Sequence, residues 1–295
     1  MIPSRRASRR ASPAWLALAL LALPACKSAS EAPAPGAAPA AVATPTSGTT
    51  TLEALNATLW FQQAAEARGL CLQAYGLARL RLEQALNDPG WTAAEEQTGE
   101  FAALPPAVIL DVDETVLDNS YFQARLLQAG RTFTPQAWTA WCAEGAATPL
   151  DGAREFCQWA QAQGVTVFYL TNRTEEERPG TRRNLEAQGF PFTEGVETLL
   201  CKAGKSDKGP RRQAVAERYR VLLLVGDNVT DFSSAFNGKL GNARRVELAR
   251  QQAEKWGTRW ILLPNPVYGT WEAPAAEGGE TVAEKLAALR GAPGS

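Results

Sequence analysis

The chain has 295 residues, of which 45% are hydrophobic, and its 30 basic and 31 acidic side chains leave a net charge of -1. This size suits one main domain with a sizeable core and a small accessory unit, and the balanced charge excludes an overall field that would recruit nucleic acid. The sequence contains no histidine, which excludes Ser-His and Cys-His catalysis and zinc sites built on imidazole. Any chemistry therefore depends on carboxylates, lysine, hydroxyl groups or a metal.

Residues 1–26 have the pattern of an export signal peptide. Four arginines precede an apolar run from Ala14 to Ala25, which is shorter than the roughly 20 residues that span a bilayer. The run ends in Leu23-Pro24-Ala25-Cys26, which resembles the lipobox of bacterial lipoproteins, although proline is unusual there. The resemblance implies that Cys26 becomes the lipidated first residue of the mature chain. Cleavage near Ala25 without lipidation is the alternative.

Residues 27–50 are rich in alanine, proline, serine and threonine, which predicts a disordered tether. The folded domain is then expected over residues 51–295. Lysine rather than aspartate follows Cys26, which resembles outer-membrane sorting in Gram-negative bacteria. We therefore expect a lipid-anchored protein of the bacterial cell envelope, at the outer membrane and facing the periplasm or the surface.

Helical spacing of apolar residues predicts a helix over residues 52–86, in which Trp60 and Tyr75 are packing residues. A second helix start is predicted at Thr134-Pro135, a cap followed by proline at the first position. Residues 116–130 are predicted to be loop and helix, and the remaining predicted helices cover about residues 153–163, 174–188, 209–219 and 243–256.

Apolar and β-branched runs predict five strands. They cover residues 107–110, 165–170, 196–200, 221–225 and 260–263. Because strands alternate with helices, the fold class is α/β, with a parallel sheet and right-handed crossovers. Four cysteines of this domain lack the spacing of a metal or redox motif, and we interpret them as small buried hydrophobic side chains. They are Cys71, Cys142, Cys157 and Cys201.

Polar residues follow three of the strands at the point where each strand ends. Parallel sheets bind ligands outside the carboxyl ends of their strands, so this pattern predicts a site. Capping of the following helices is the alternative, but three independent caps would seldom fall at one edge. The residues are Asp111 and Asp113, Thr171 and Asn172, and Asp227 and Asp231.

Carboxylates that converge without histidine would repel one another unless a cation neutralised them, and Mg²⁺ suits oxygen ligands best. A hydroxyl, an amide and a lysine from residues 205–208 are donors suited to the oxygens of a phosphate. With its charge neutralised, one carboxylate can attack phosphorus. A second carboxyl group can protonate the leaving oxygen and then activate water.

The order Asp111-x-Asp113-x-Thr115, Thr171, a lysine and Gly226-Asp227-x-x-x-Asp231 resembles the haloacid dehalogenase superfamily of phosphotransferases. That resemblance implies a Rossmann-like parallel sheet of order 3-2-1-4-5, with an N-terminal helical extension and a small helical insert. It also implies that the strands bearing Asp111 and Asp227 are neighbours.

More narrowly, residues 109–121 and 226–232 resemble the two signatures of the class C bacterial acid phosphatases, the lipoprotein e(P4) family of outer-membrane 5′-nucleotidases. Further matches lie at residues 59–60, 171–173, 263–265, 268–269 and 271–272, and the likeness runs from about residue 52 to residue 272. One departure is visible, because Val229 stands where the family usually has leucine.

The resemblance implies that Asp111 is the nucleophile and Asp113 the general acid and base. It further implies that Mg²⁺ is held by Asp111, the backbone carbonyl of Asp113, and Asp227. Asp231 would support a metal-bound water.

The phosphate would be held by Thr171, Asn172 and Lys208. Lys208 is preferred to its neighbour Lys205 because it opens the next helix as the family's lysine does. The family stacks a nucleoside base between two aromatic side chains, and Trp138 and Tyr268 stand at the matching places. Ordinary packing is the alternative for this aromatic pair.

We therefore expect a magnesium-dependent acid phosphatase that hydrolyses phosphomonoesters through an aspartyl-phosphate, with nucleoside 5′-monophosphates as substrates. One alternative is a broad-specificity acid phosphatase without base preference. The other is a non-catalytic surface lipoprotein that binds a metal. A homo-oligomer is left open by the sequence.

Overall fold

The structure is a computed structural model, and it describes residues 54–272. The predicted signal peptide, the tether and Cys26 lie outside the described residues, as do residues 273–295. None of the helices within the described range combines the length and the apolar character that crossing a membrane requires.

Strands and helices alternate along the described chain. The strands are β1 (Pro106–Leu110), β2 (Leu117–Asp118), β3 (Thr148–Pro149), β4 (Thr166–Thr174), β5 (Leu199–Lys202), β6 (Arg220–Gly226) and β7 (Trp260–Leu262). The helices are α1 (Leu55–Gln63), α2 (Ala65–Leu86), α3 (Ser120–Gln128), α4 (Pro135–Glu144), α5 (Ala153–Ala162), α6 (Arg178–Ala187), α7 (Gly209–Ala216) and α8 (Asn242–Gln251).

The centre is a five-stranded sheet of order β5-β4-β1-β6-β7, in which all neighbours are parallel. When only the strands of this sheet are counted, the order is 3-2-1-4-5, so the expected α/β fold is confirmed. β2 and β3 form a separate antiparallel pair. The segment between them carries α3 and α4 and is the helical insert, while α1 and α2 are the N-terminal helical extension.

Strand β1 is buried on both faces, which explains its continuous apolar sequence. Val108 and Leu110 belong to a core that includes side chains of α2 and α5. Ala107 and Ile109 belong to the core on the other face, which includes Trp260 of β7. This burial fixes the end of β1, where Asp111 follows, in the middle of the sheet.

Several predicted boundaries were wrong by a few residues. The single helix expected over residues 52–86 is two helices, because Ala64 is extended with ψ 131°. The break lets α1 contact α3 while α2 contacts α5. Strand β4 continues to Thr174, which pairs with Lys202, so its polar end residues belong to the sheet. Helix α8 ends at Gln251, before the expected residue 256. At Thr134 the expected cap is confirmed, since its side chain accepts a hydrogen bond from the Ala137 N–H.

Candidate active site

Asp111 and Asp227 lie side by side because they follow neighbouring parallel strands. Asp111 directly follows β1, and its N–H donates to the carbonyl oxygen of Val225 in β6 at 2.9 Å. Asp227 directly follows β6, and Asp231 ends the short 3₁₀ turn behind it. The predicted adjacency of the two strands therefore brings three carboxylates to one point of the sheet edge.

These three carboxylates form an acidic cluster of Asp111, Asp227 and Asp231. One oxygen from each lies within 4.8 Å of the others. The Thr115 hydroxyl is 3.4 Å from Asp111 Oδ2 and 3.4 Å from Asp227 Oδ1. Asn265 donates from Nδ2 to Asp227 Oδ2 at 2.7 Å. The three carboxylates offer a metal only oxygen atoms, which suits a hard divalent cation such as Mg²⁺.

Asp231 also caps the 3₁₀ turn that follows β6. Its Oδ2 accepts a hydrogen bond from the Asn228 N–H at 2.9 Å, which caps the turn. A side chain on Gly226 would overlap the Asp231 carboxylate, so glycine is required at the end of β6. Asp231 therefore combines a capping contact with a place in the acidic cluster, two positions that the sequence analysis treats as alternatives.

Lys208 is the cation of the acidic cluster. Its buried amino group makes ion pairs with Asp111 and, at 2.7 Å, with Asp231 Oδ1. It is held there because it immediately precedes α7, which begins at Gly209. Lys205 is exposed. Of the two lysines weighed from the sequence, the structure therefore brings Lys208 to the carboxylates.

Burial controls the protonation of the acidic cluster. The pKa of Asp111 is raised to about 7, chiefly by burial and also by the charges of Asp231 and Asp113, against the lowering effect of Lys208. Burial, Asp231 and Asp111 raise the pKa of Asp227 well above its usual value. Burial would lower the pKa of Lys208, but the two neighbouring carboxylates raise it. One lysine does not neutralise three carboxylates, so the donor set fits an added divalent cation.

The side chain of Asp113 faces a different set of partners. Arg173 donates from Nε and Nη2 to Asp113 Oδ1 at 3.0 and 2.7 Å. Asn119 Nδ2 donates to the same oxygen at 2.9 Å. The Thr171 hydroxyl donates to Oδ2 at 3.3 Å. The carboxylate of Asp113 is thus engaged away from the acidic cluster, and metal binding through its backbone carbonyl stays a prediction.

Sequence reasoning missed the roles of Arg173 and Asn119. Both lie in segments that resemble the family signatures, yet neither received a role. The alternation of side chains along a strand places residues 171 and 173 on the same face. That rule would have found Arg173 if β4 had been extended past Leu170.

Asn172 points away from Thr171, as neighbouring residues of a strand do. It is exposed, and its Oδ1 accepts a hydrogen bond from Arg211 Nη2 at 2.7 Å. Arg211 also donates to the Thr171 carbonyl oxygen at 2.5 Å. The predicted phosphate ligand Asn172 is therefore linked to the site through Arg211, a residue without a role in the sequence analysis.

The two aromatic residues are both partly buried, and they lie beside different parts of the site. The Trp138 ring lies 5.2 Å from the Arg173 guanidinium carbon and 5.2 Å from the Phe122 ring centroid. Tyr268 is positioned by Asn265, whose Oδ1 accepts a hydrogen bond from the Tyr268 N–H at 3.3 Å. Within the described residues the two rings do not contact each other.

Residues 35–271, well over half of the chain, match the family model of the HAD superfamily, subfamily IIIB (acid phosphatase). The chain belongs to this family. The match begins inside the range that we expect to be a tether, so the boundary of the acid phosphatase domain stays a prediction.

Two solved structures of relatives agree with this membership. The chain is similar to the class C acid phosphatase from Bacillus anthracis, with 31% identity and a TM-score of 0.71 over 82% of this chain and 98% of that chain. The same bacterial enzyme with tungstate bound gives 30% identity and a TM-score of 0.70 over 82% and 99%. The predicted resemblance to class C acid phosphatases and the predicted fold are confirmed.

A plant relative is more distant. "Acid phosphatase 1" of Solanum lycopersicum is 28% identical over 167 residues, which is 54% of this chain and 57% of the relative. The chain thus matches little more than half of that curated protein. All these relatives are phosphatases by name, in agreement with the expected enzyme class of a phosphomonoesterase.

Proposed function

We propose that the chain is a magnesium-dependent acid phosphatase that works through an aspartyl-phosphate on Asp111. The observation that carries the proposal is the contact of buried Asp111 with Lys208 beside Asp227 and Asp231. A nucleophilic carboxylate needs neighbouring positive charge to approach a phosphate dianion. Lys208 supplies one positive charge, and the oxygen-only donor set suits a divalent cation for the rest.

In the proposed reaction, Asp111 forms a bond to phosphorus while the bond from phosphorus to the leaving oxygen breaks. Asp113 gives its proton to that oxygen, so the product alcohol leaves neutral. A water then attacks phosphorus of the aspartyl-phosphate and gives a proton to Asp113. Inorganic phosphate leaves, and the Asp111 carboxylate is restored.

Mg²⁺ would be held by Asp111, the Asp113 carbonyl and Asp227, with Asp231 supporting a bound water. When bound, it neutralises charge on the phosphate and on the acidic cluster. The phosphate would also contact Lys208 and Thr171, while the exposed side chain of Asn172 would contribute through Arg211, which donates a hydrogen bond to it. The tungstate complex of the related B. anthracis enzyme supports an oxyanion site in this family.

The proposed substrates are nucleoside 5′-monophosphates, with Trp138 and Tyr268 on either side of the base. A second candidate is a broad-specificity acid phosphatase without base preference. It is favoured by the packing of Trp138, whose ring already contacts Phe122 and Arg173. The discriminating measurement compares kcat/KM for a nucleoside monophosphate and an aryl phosphate in Trp138→Ala and Tyr268→Ala. An unchanged ratio in both variants eliminates the nucleotidase.

The decisive experiment for the reaction measures phosphate release with Mg²⁺, with chelator and in Asp111→Asn. The proposal expects release from the parent with Mg²⁺, and none with chelator or from Asp111→Asn. Asp151→Asn is the control, because Asp151 is a half-exposed carboxylate outside the acidic cluster. Activity that survives both the chelator and Asp111→Asn would falsify the mechanism. Such activity would also exclude the alternative of a non-catalytic metal-binding lipoprotein.

We further propose that the protein is anchored to the outer membrane through lipid on Cys26. Metabolic labelling with palmitate, followed by membrane fractionation of the parent and Cys26→Ser, tests this. Label that persists in Cys26→Ser contradicts the anchor. A homo-oligomer is a separate question, which light scattering of the soluble domain answers.

A further inference from the structure

We propose that Arg173 is a positioning residue for Asp113, which fixes the carboxylate oxygen that exchanges protons with the substrate. This inference rests on the proposed function, because it assigns a partner to the general acid and base of that reaction. It concerns proton transfer to the leaving group, and it leaves phosphate binding to other side chains.

The two carboxylate oxygens of Asp113 differ in the number of hydrogen bonds that they accept. Oδ1 accepts three hydrogen bonds, from Arg173 Nε at 3.0 Å, Arg173 Nη2 at 2.7 Å and Asn119 Nδ2 at 2.9 Å. Among the described residues, Oδ2 accepts one long hydrogen bond, from the Thr171 hydroxyl at 3.3 Å. Oδ1 is therefore saturated, and Oδ2 is the oxygen with capacity for a substrate proton.

Arg173 is itself held in place on every side. Its side chain is 1% exposed. Nη1 donates to the Thr181 hydroxyl at 3.1 Å, and Nη2 also donates to Asn119 Oδ1 at 3.1 Å. The guanidinium carbon lies over the Trp138 ring, 5.2 Å from its centroid. A planar guanidinium held by several partners fixes the place of Oδ1, and the Thr171 hydroxyl bonded to Oδ2 then sets the rotation of the carboxylate.

Asn119 completes the same network from the loop that follows Asp113. Its N–H donates to Glu114 Oε1 at 2.7 Å, and its Oδ1 accepts from Trp141 Nε1 at 2.8 Å. Glu114 is buried and has a positive φ of 53°, which turns the chain back toward Asn119. Strain of this kind persists where the surroundings enforce it. Two side chains thus hold the Asp113 carboxylate, Asn119 from the strained turn and Arg173 from β4. Helix α4 contacts both of them, through Trp141 and Trp138.

A buried ion pair can also be purely structural, so the test needs a readout that stability alone does not move. Proton donation matters most when the leaving group is a strong base, such as an alkoxide or the 5′ oxygen of a nucleoside. It matters little for 4-nitrophenolate, which leaves readily without a proton. A displaced Asp113 should therefore slow alkyl phosphates far more than 4-nitrophenyl phosphate.

The experiment measures kcat/KM, which covers every step up to departure of the alcohol, for both substrates in the parent and in Arg173→Lys. Lysine keeps the charge and loses the fork. We expect a loss of about 10- to 100-fold with the nucleoside monophosphate and a loss several times smaller with 4-nitrophenyl phosphate. Inhibition by tungstate should keep the parental constant.

Two further variants keep the test decisive. Asn119→Ser removes the third donor to Oδ1, and it should show the same substrate dependence if Arg173→Lys does not fold. Arg220→Lys is the matched control. Arg220, at the start of β6, is also buried, but it donates to the Asp88 carbonyl oxygen at 3.0 Å and not to Asp113. It should leave the ratio of the two substrates unchanged.

The outcomes separate the possibilities. Equal losses on both substrates in Arg173→Lys and Asn119→Ser overturn the positioning role and leave a structural ion pair. Weaker tungstate inhibition in parallel with lost activity also overturns it, because Arg173 would then bind the oxyanion. A parent that hydrolyses neither substrate overturns the proposed function itself, and the positioning role with it.

Discussion

Lys208 lies between the carboxylates of Asp111 and Asp231, with its amino group 2.7 Å from Asp231 Oδ1. In the described part of the chain, it is the only side chain that makes an ion pair with a carboxylate of the acidic cluster. Lys208→Met should therefore lower kcat/KM by at least about 100-fold, because a preorganised charge at a developing phosphoryl transition state contributes that much.

The neighbouring Lys205 supplies the matched control for Lys208. It is exposed, and it precedes Lys208 by three residues in the same basic loop. Lys205→Met should retain nearly the parental kcat/KM on the same aryl phosphate. A large loss in Lys205→Met together with a small loss in Lys208→Met would show that the wrong lysine has been assigned.

Mg²⁺ should stabilise the folded chain through the acidic cluster, since a ligand that binds only the native state raises the free energy of unfolding. The prediction is a rise in Tm on addition of Mg²⁺ to the metal-free parent, which falls or disappears in Asp227→Asn. This readout does not depend on activity.

Asp151→Asn again serves as the control for the metal experiment, and its Tm shift should equal that of the parent. In the absence of metal, Asp227→Asn should raise Tm to some extent, because removal of one buried carboxylate relieves repulsion within the acidic cluster. The informative quantity is therefore the difference in Tm with and without Mg²⁺. An equal shift in Asp227→Asn and the parent would exclude Asp227 as a ligand.

The parallel α/β sheet and the binding site at its carboxyl edge could be predicted, because a repeated strand-helix pattern and strand-end polar residues depend on short stretches of sequence. The order of the strands, which makes Asp111 and Asp227 neighbours, was implied by the family resemblance and is confirmed. The break at Ala64 could not, since no proline or glycine marks it and it depends on what α1 and α2 pack against. The same limit applied to Arg173. Its role becomes visible only when β4 is seen to run past Leu170, which brings Arg173 to Asp113 beyond the end of the neighbouring strand β1.

The buried thiols should make the protein less stable in alkali. Burial raises the pKa of Cys71 to about 11 and that of Cys201 to about 11, compared with about 8.5 for an unfolded thiol. Between these values the unfolded chain loses protons that the folded chain keeps, so the free energy of unfolding falls as pH rises from about 8.5 to about 11. The urea midpoint, measured in reductant, should decrease across this range.

Cys71→Ala provides the internal comparison for the thiol prediction. The substitution should lower the urea midpoint at neutral pH, because a buried side chain is truncated. It should also flatten the decrease between neutral pH and about pH 10, because one titrating group is gone. A native protein that is rapidly alkylated at Cys71 at neutral pH would contradict the burial on which the argument rests.

Two glycine-to-alanine substitutions should change stability in opposite directions. Gly180, in helix α6, has no room for a side chain, because a Cβ there would overlap the carbonyl oxygen of Cys142 in α4. Gly180→Ala should therefore lower the free energy of unfolding by about 1 to 3 kcal/mol as α4 and α6 are pushed apart.

Gly76, inside α2, has no atom within 4 Å of a built Cβ. Gly76→Ala should stabilise the protein by about 0.5 to 1 kcal/mol, since alanine loses less backbone freedom on folding. Urea unfolding of both variants measures the two free energies. Because α4 also carries Trp138, Gly180→Ala should lower phosphatase activity as well, whereas Gly76→Ala should leave it unchanged; destabilisation by both substitutions would contradict the packing described for α2.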